Sequence, residues 1–216
     1  MPRHDPDQKT KQDILDTAIR LFAEKGLENV KVEDVVKEVG VTRGAFYHYF
    51  KSREELIAGT MYKSFEDDNP YLLADKQKGL NALEKLRFAA KLSLRSHMDA
   101  SESARAQIKQ LANDPIVFKN EIIFQVNAMA PYMERLLAEG NKDGSMNVDY
   151  PKQASQTIAF LVASWLSPYA FEVSYEEYVD KVLFFDQLST SMGVPVMDEE
   201  MKEIYLAIGR RDFKSE

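Results

Sequence analysis

The chain contains no cysteine. That excludes disulfides and thiolate metal sites, and it fits a reducing compartment. Histidine is scarce too: His4, His48 and His97 are scattered without metal-ligand spacing. Glycine and proline number only 9 and 8 among 216 residues, and they fall at boundaries rather than inside periodic stretches. No apolar run approaches the roughly 20 residues needed to cross a bilayer. The polar start, Met1 to Asp7, lacks the apolar stretch of a secretory leader. Neither a phosphate-cradling glycine loop nor a serine nucleophile elbow is present. The expectation is a cytoplasmic protein with no membrane span, metal, cofactor or catalytic residue.

Hydrophobic residues make up 44% and charged residues 29%, an ordinary soluble composition, and the length suffices for a real core. The net charge of −7 argues against binding a polyanion until the chain is divided. Residues 1–53 carry 10 basic and 9 acidic residues, and the remainder carries 18 and 26. The window Val41 to Arg53 holds three basic residues and no acid. Local field rather than total charge governs the approach of phosphate.

Period-2 alternation is short-lived everywhere, so the chain reads as all-α with about nine to ten helices. Ile14, Leu15, Ala18, Leu21 and Phe22 form one apolar stripe of a helix over 8–25, with Gly26 as its cap. A valine-rich helix over 32–39 ends at Gly40, and a short helix over 43–49 follows. Ser52 and Glu55 have capping-box spacing and open a fourth helix over 52–65. The run Asp67-Asp68-Asn69-Pro70 breaks it. Further helices are expected over 79–100, 102–112, 115–139 with a kink at Pro131, 151–167, 175–191 from a Ser174/Glu177 capping box, and from Asp198 to near Gly209, with Gly140 to Gly144 as a loop. The resulting division is a three-helix domain over 1–53, the fourth helix as connector, and a larger helical domain over 66–216.

Two short helices around a glycine turn form a helix-turn-helix, whose second helix enters the DNA major groove. On a helical wheel Arg43, Gly44, Tyr47 and His48 share one side of 43–50, while Phe46, Tyr49 and Phe50 share the other. Arginine donates two hydrogen bonds to a guanine edge, and alanine touches a thymine methyl, as Ala45 is placed to do. Gly44 keeps the helix slim. Tyr47 suits phosphate through its hydroxyl, and Lys51 and Arg53 supply backbone charge. The free amides after Ser52 suit phosphate as well. The same pattern also fits plain helical packing, with three aromatics in the core and Arg43 as a solvated charge. Arg3, Lys9 and Lys11 fit a solvated arm better than a phosphate contact.

The stretch from Ile14 to Leu56 resembles the N-terminal domain of TetR-family transcriptional regulators. The resemblance rests on Ile14 through Gly26 and on Val39 through Leu56, a quarter of the chain. It implies an all-helical homodimer with an N-terminal helix-turn-helix domain and a C-terminal domain that binds a small effector. It implies DNA contacts at Thr42, Arg43, Gly44, Ala45, Tyr47, His48, Tyr49 and Arg53. At Tyr49 a buried ring and an outward hydroxyl reconcile the wheel with the resemblance. Where many members begin the second helix with hydroxyl residues, this chain has Lys31 and Val32. Lys31 keeps a phosphate contact, but the hydroxyl cap is lost.

The C-terminal domain says less. The candidates for an effector pocket are Leu94, Met98, Phe118, Ile122, Met129, Tyr132 and Trp165, each of which fits plain core packing better, with Arg95 and His97 more at home on the surface. Following the resemblance, Ala154, Ile158, Leu161, Val162, Val179, Val182 and Leu183 are expected to meet a second copy. The partners implied are palindromic double-stranded operator DNA, a second copy and a small molecule of unknown identity. The rival classes are a helical interaction protein that does not read DNA and an all-helical enzyme.

Overall fold

The computed structural model describes residues 6–213. Arg3 and His4, weighed above, lie outside that span. Among the described residues every regular element is helical and there is no strand. The chain divides into two compact units, one ending at Asp67 and the other beginning at Asp68.

The first unit contains α1 (Pro6–Lys25), α2 (Val32–Val39), α3 (Arg43–Tyr49) and α4 (Arg53–Asp67). α1 packs on α2 and α4, and α2 packs on α3. Their shared core joins Ile14, Leu15, Ala18 and Leu21 of α1 to Val32, Val35 and Val36 of α2, with Phe46, Phe50 and Leu56. Valine is a weak helix former, so α2 depends on this burial. Its start is helped by Asp34, whose carboxylate accepts from the Lys31 N–H at 2.9 Å, the bond an N3 acid makes back to the N-cap amide. It stops at Gly40, where φ is 77° and no atom would touch an added Cβ. The backbone alone therefore demands glycine there. The expected capping box at α4 is half-formed: Ser52 Oγ accepts from the Glu55 N–H at 3.2 Å, but the Glu55 carboxylate reaches the Lys51 N–H at 2.5 Å.

The second unit contains α5 (Pro70–Asp75), α6 (Ala82–Asp99), α7 (Glu102–Ala112), α8 (Pro115–Phe124), α9 (Ala130–Asp143), α10 (Pro151–Phe160), α11 (Tyr175–Ser191) and α12 (Glu199–Asp212). α6 packs against α5, α9 and α12, and α9 against α10. Four expectations need correction. Asn69-Pro70 breaks one helix but also opens α5, because Asn69 Oδ1 accepts from the amides of Tyr71 and Leu72 and proline takes the first position. Between α8 and α9 lies a π-helical segment, Gln125–Met129, rather than a simple kink at Pro131. Proline lacks an N–H, and a wider turn before it accommodates the lost bond. Gly140 is inside α9 rather than in a loop. It is buried, an added Cβ there would lie 2.4 Å from Met146 Cε, and the helix ends instead at Gly144 with φ 79°. The helix beginning at Pro151 loosens at Leu161–Trp165 into a second π-helical segment.

Several caps secure these helices. Asn81 and Glu84 form a complete box at α6, whose first amide also donates to Asp143 at 2.9 Å. Asp114 caps α8, and Asp198 caps α12. At α11, Ser174 Oγ accepts from the Glu177 N–H at 3.1 Å, while the Glu177 carboxylate lies 3.8 Å from Lys181.

Candidate nucleic-acid interface

α3 is a short helix held by one cap and two buried rings. Thr42, extended at φ −81° and ψ 156°, accepts from the Ala45 N–H through Oγ1 at 3.1 Å. Phe46 is fully buried and Phe50 nearly so. Those anchors turn the opposite side outward: Thr42, Arg43, Gly44, Tyr47 and His48 are exposed, and Ala45 is half-buried. A Cβ added at Gly44 would meet only Thr42 Oγ1, at 3.8 Å, so nothing inside the unit requires glycine there. Tyr49 sits at the edge, its ring packed on the core and its hydroxyl donating to Asp7 Oδ1 at 2.5 Å.

Arg43, His48, Lys51 and Arg53 each have a partner within the unit. Arg43 Nη2 lies 2.9 Å from Glu33 Oε1, both side chains more than half exposed. His48 Nε2 lies 3.9 Å from Asp7 Oδ2. Lys51 Nζ donates to the carbonyls of Tyr47 and His48 at 3.1 and 3.3 Å, neutralising the end of α3. Arg53 departs most from expectation. Its half-buried guanidinium donates through Nε to the Val30 carbonyl at 3.1 Å and through Nη2 to the Leu27 carbonyl, tying the start of α4 to the turn before α2. Lys31 is exposed at the start of α2, Lys9 is exposed on α1, and the Lys11 ammonium lies 5.8 Å from the centre of the Phe50 ring. Glu33 and Asp7 were missed as neighbours of the face, because helix-to-helix pairs leave no mark in local periodicity.

In the second unit the residues expected to line one pocket are dispersed. Phe118 and Trp165 wall an apolar groove of about 260 Å³, together with Phe160, Leu161, Phe171 and Phe184. Leu94, Met98, Ile122 and Met129 are half-buried outside its walls, and Tyr132 stacks on Tyr71 with ring centres 5.8 Å apart. The expected interface also divides. Ala154, Ile158 and Val182 are packed inside their own unit and cannot face a second copy. Val162 and Leu183 are exposed, Leu161 and Val179 are half-buried, and the neighbouring Phe160 and Phe184 are exposed as well, at 45% and 54%. Both helices carry apolar residues on two sides, so the wheel alone could not say which side met the core.

Arg95 is exposed and pairs with Glu200. His97 is not a surface residue: it lies 3.4 Å from the Tyr169 hydroxyl and 3.7 Å from Asp212 Oδ2. Burial, then the Arg211 charge, lowers its pKa, with Asp212 opposing. Burial alone would raise the Asp212 carboxyl, but hydrogen bonds from Arg211 and Tyr169 hold it below the usual range. Arg211 also donates to the carbonyls of His97 and Met98, so the cluster fastens the end of α6 to the end of α12.

Residues 14–65 match the family model described as bacterial regulatory proteins of the tetR family. The HTH-type transcriptional regulator AcrR of Shigella flexneri is 43% identical over 51 residues, 24% of this chain and 24% of AcrR. The matched part thus spans about a quarter of that relative's length. The HTH-type transcriptional repressor KstR2 of Rhodococcus jostii is 28% identical over 170 residues, covering 72% of this chain and 79% of KstR2. In fold, the chain is similar to RolR solved with resorcinol, with a TM-score of 0.64 at 18% identity over 93% of this chain and 94% of RolR. Residues 14–65 thus form a tetR-family regulatory domain, and the helical architecture of the chain is similar to that of RolR.

Proposed function

We propose that the chain is a homodimeric repressor that grips operator DNA through the outward side of α3 and is released by a small apolar effector bound in its second unit. The observation that carries the reading is the two-sidedness of α3. Phe46 and Phe50 are spent on the core, while Thr42, Arg43, Gly44, Tyr47 and His48 are exposed. In this role Arg43 takes a guanine edge, and the bare backbone at Gly44 lets the helix approach the bases. Thr42, Ala45, Tyr47, His48 and Tyr49 contact bases and phosphates around it. Lys31 and Lys51 face the phosphates, and Arg53 supports the reader from its carbonyl ties. The protein acts in the cytoplasm, where it meets chromosomal DNA.

The exposed apolar side of α10 and α11 supports dimer formation through Phe160, Val162, Leu183 and Phe184. Two-fold symmetry then calls for a palindromic operator with half-sites roughly 34 Å apart. The groove near Trp165 supports an effector site, because Phe118, Trp165 and Phe171 give it apolar walls. RolR has been solved with resorcinol, which is consistent with a small aromatic effector here. An effector that prefers one conformation of the second unit shifts the population toward it and lowers operator affinity. α4 is the lever, because Arg53 anchors its start within the reader and the second unit follows its end in sequence.

The test is fluorescence anisotropy of the full-length protein with DNA from upstream of its own gene, repeated at rising salt. The reading expects a preferred sequence and a log–log salt slope of about −0.9 per phosphate neutralised. Failure to bind any duplex, or binding without sequence preference, contradicts it.

A further inference from the structure

Arginine and histidine on an exposed face would ordinarily be open to any phosphate that approached. Here both stand beside a carboxylate, at 2.9 Å for Arg43 with Glu33 and 3.9 Å for His48 with Asp7. Asp7 also holds the Tyr49 hydroxyl at 2.5 Å. Glu33 lies in the first turn of α2 and Asp7 in the first turn of α1, where the positive end of a helix favours an acidic side chain. The nearby Lys51 and Arg53 are turned onto backbone carbonyls. The reading face therefore presents Arg43, His48 and Tyr49 each beside an acid of the same unit.

We propose that Glu33 and Asp7 are specificity-determining residues that compete with DNA phosphate for the reading side chains. The inference rests on the DNA-reading proposal above. An exposed ion pair is weak and exchanges readily. A single phosphate offers Arg43 little more than Glu33 already gives, so on arbitrary sequence the pair persists and Arg43 releases no counterion. A guanine edge offers two aligned acceptors and draws Arg43 away. Glu33 thus makes Arg43 a conditional cation, silent on most DNA and active at the right base. Asp7 does the same, more weakly, for His48 and the Tyr49 hydroxyl. The two carboxylates suppress nonspecific binding at the place where a regulator can least tolerate it.

The test uses anisotropy of the full-length protein on two duplexes of equal length, one recovered by in vitro selection with the wild type and one of random sequence. Glu33→Gln should tighten binding to the random duplex about three- to fivefold and steepen its salt slope by about 0.9. The slope on the selected duplex should stay as in the wild type. Asp7→Asn should change the random-duplex affinity in the same direction by less. Glu33→Asp, which keeps the charge, should keep the wild-type slope. Glu24→Gln makes the same change in net charge at a residue that pairs with Arg20 instead, and should leave both slopes unchanged. The inference is overturned if Glu33→Gln leaves the random-duplex slope and affinity at wild-type values, or if Glu24→Gln reproduces the increase. Absence of any salt-dependent binding by the wild type overturns the DNA reading and this inference together; normal wild-type binding with an unaltered Glu33→Gln overturns this inference alone.

Discussion

The two units finish their surfaces differently. In the first, the large apolar side chains are spent on the core, and Tyr47 is the one strongly exposed large hydrophobic residue among those described. In the second, Leu72, Ile116, Tyr150, Phe160, Phe171, Leu183 and Phe184 are all more than 40% exposed. A polar partner needs a surface of donors and acceptors, which the first unit supplies without rearranging its core. An apolar surface of several large side chains signals contacts still to be made. The contrast teaches that one helical architecture can finish with two kinds of surface, and that the difference lies in which side chains the core leaves over.

The sharpest way to break this contrast is to remove an anchor of the reader. Phe46→Ala empties a fully buried site and should cost about 3–5 kcal/mol. Urea unfolding should show loss of the first unit's transition with helicity of the second retained. Equal loss from both units would deny that the first has its own core. Next in size, Phe184→Glu should weaken self-association on the order of thirtyfold in sedimentation velocity, as expected for a buried aromatic anchor. Tyr47→Glu, a similar change on the reader, should leave self-association as it was. If both variants, or neither, dissociate the protein, the division of labour between the surfaces is wrong.

Arg43→Ala sharpens the reader's side of the comparison. It should cost about 1–3 kcal/mol of discrimination at one base pair of the selected duplex. Thermal stability should hardly change, because the pair it breaks with Glu33 is exposed. A uniform loss over all sequences would demote Arg43 to a phosphate contact. The smallest effect concerns the second unit. His97 has a pKa below its unfolded value of 6.5, so the unfolded chain binds its proton more readily. Its contribution is present above pH 6.5 and is lost as the pH falls below that value toward its lower folded pKa. His97→Gln should flatten the pH dependence of stability in that window. An unchanged profile would remove His97 from the cluster's energetics.

Legibility followed the range of the forces involved. α2 and α3 could be placed residue by residue, because Gly40 and Thr42 act locally and the valine and phenylalanine stripes obey one period. The outward side of α3 was readable for the same reason. The Arg53 ties, Glu33 beside Arg43 and Asp7 beside Tyr49 were not, since each joins separate elements. In the second unit, Asn69-Pro70 carries the same start signal as Asp114-Pro115, but the acidic run Asp67-Asp68 before it masks that signal as a stop. Gly140 looked like a loop residue because only Met146, across a turn, explains why a helix needs glycine there. The division between inward Val182 and outward Leu183 depends on packing partners that no periodicity names.

The central claim is that α3 turns its bare side to DNA and its aromatic side to the core. Gly44→Ala tests both halves at once, with a thermal melt and an anisotropy titration on the selected duplex. The added methyl has room within the protein, 3.8 Å from its nearest neighbour, and replaces glycine in a helix. Stability should therefore hold or rise by about 0.5–1 kcal/mol, while affinity for the duplex falls at least tenfold. Unchanged affinity in the stabilised protein would show that the duplex never approaches this backbone, and would contradict the account.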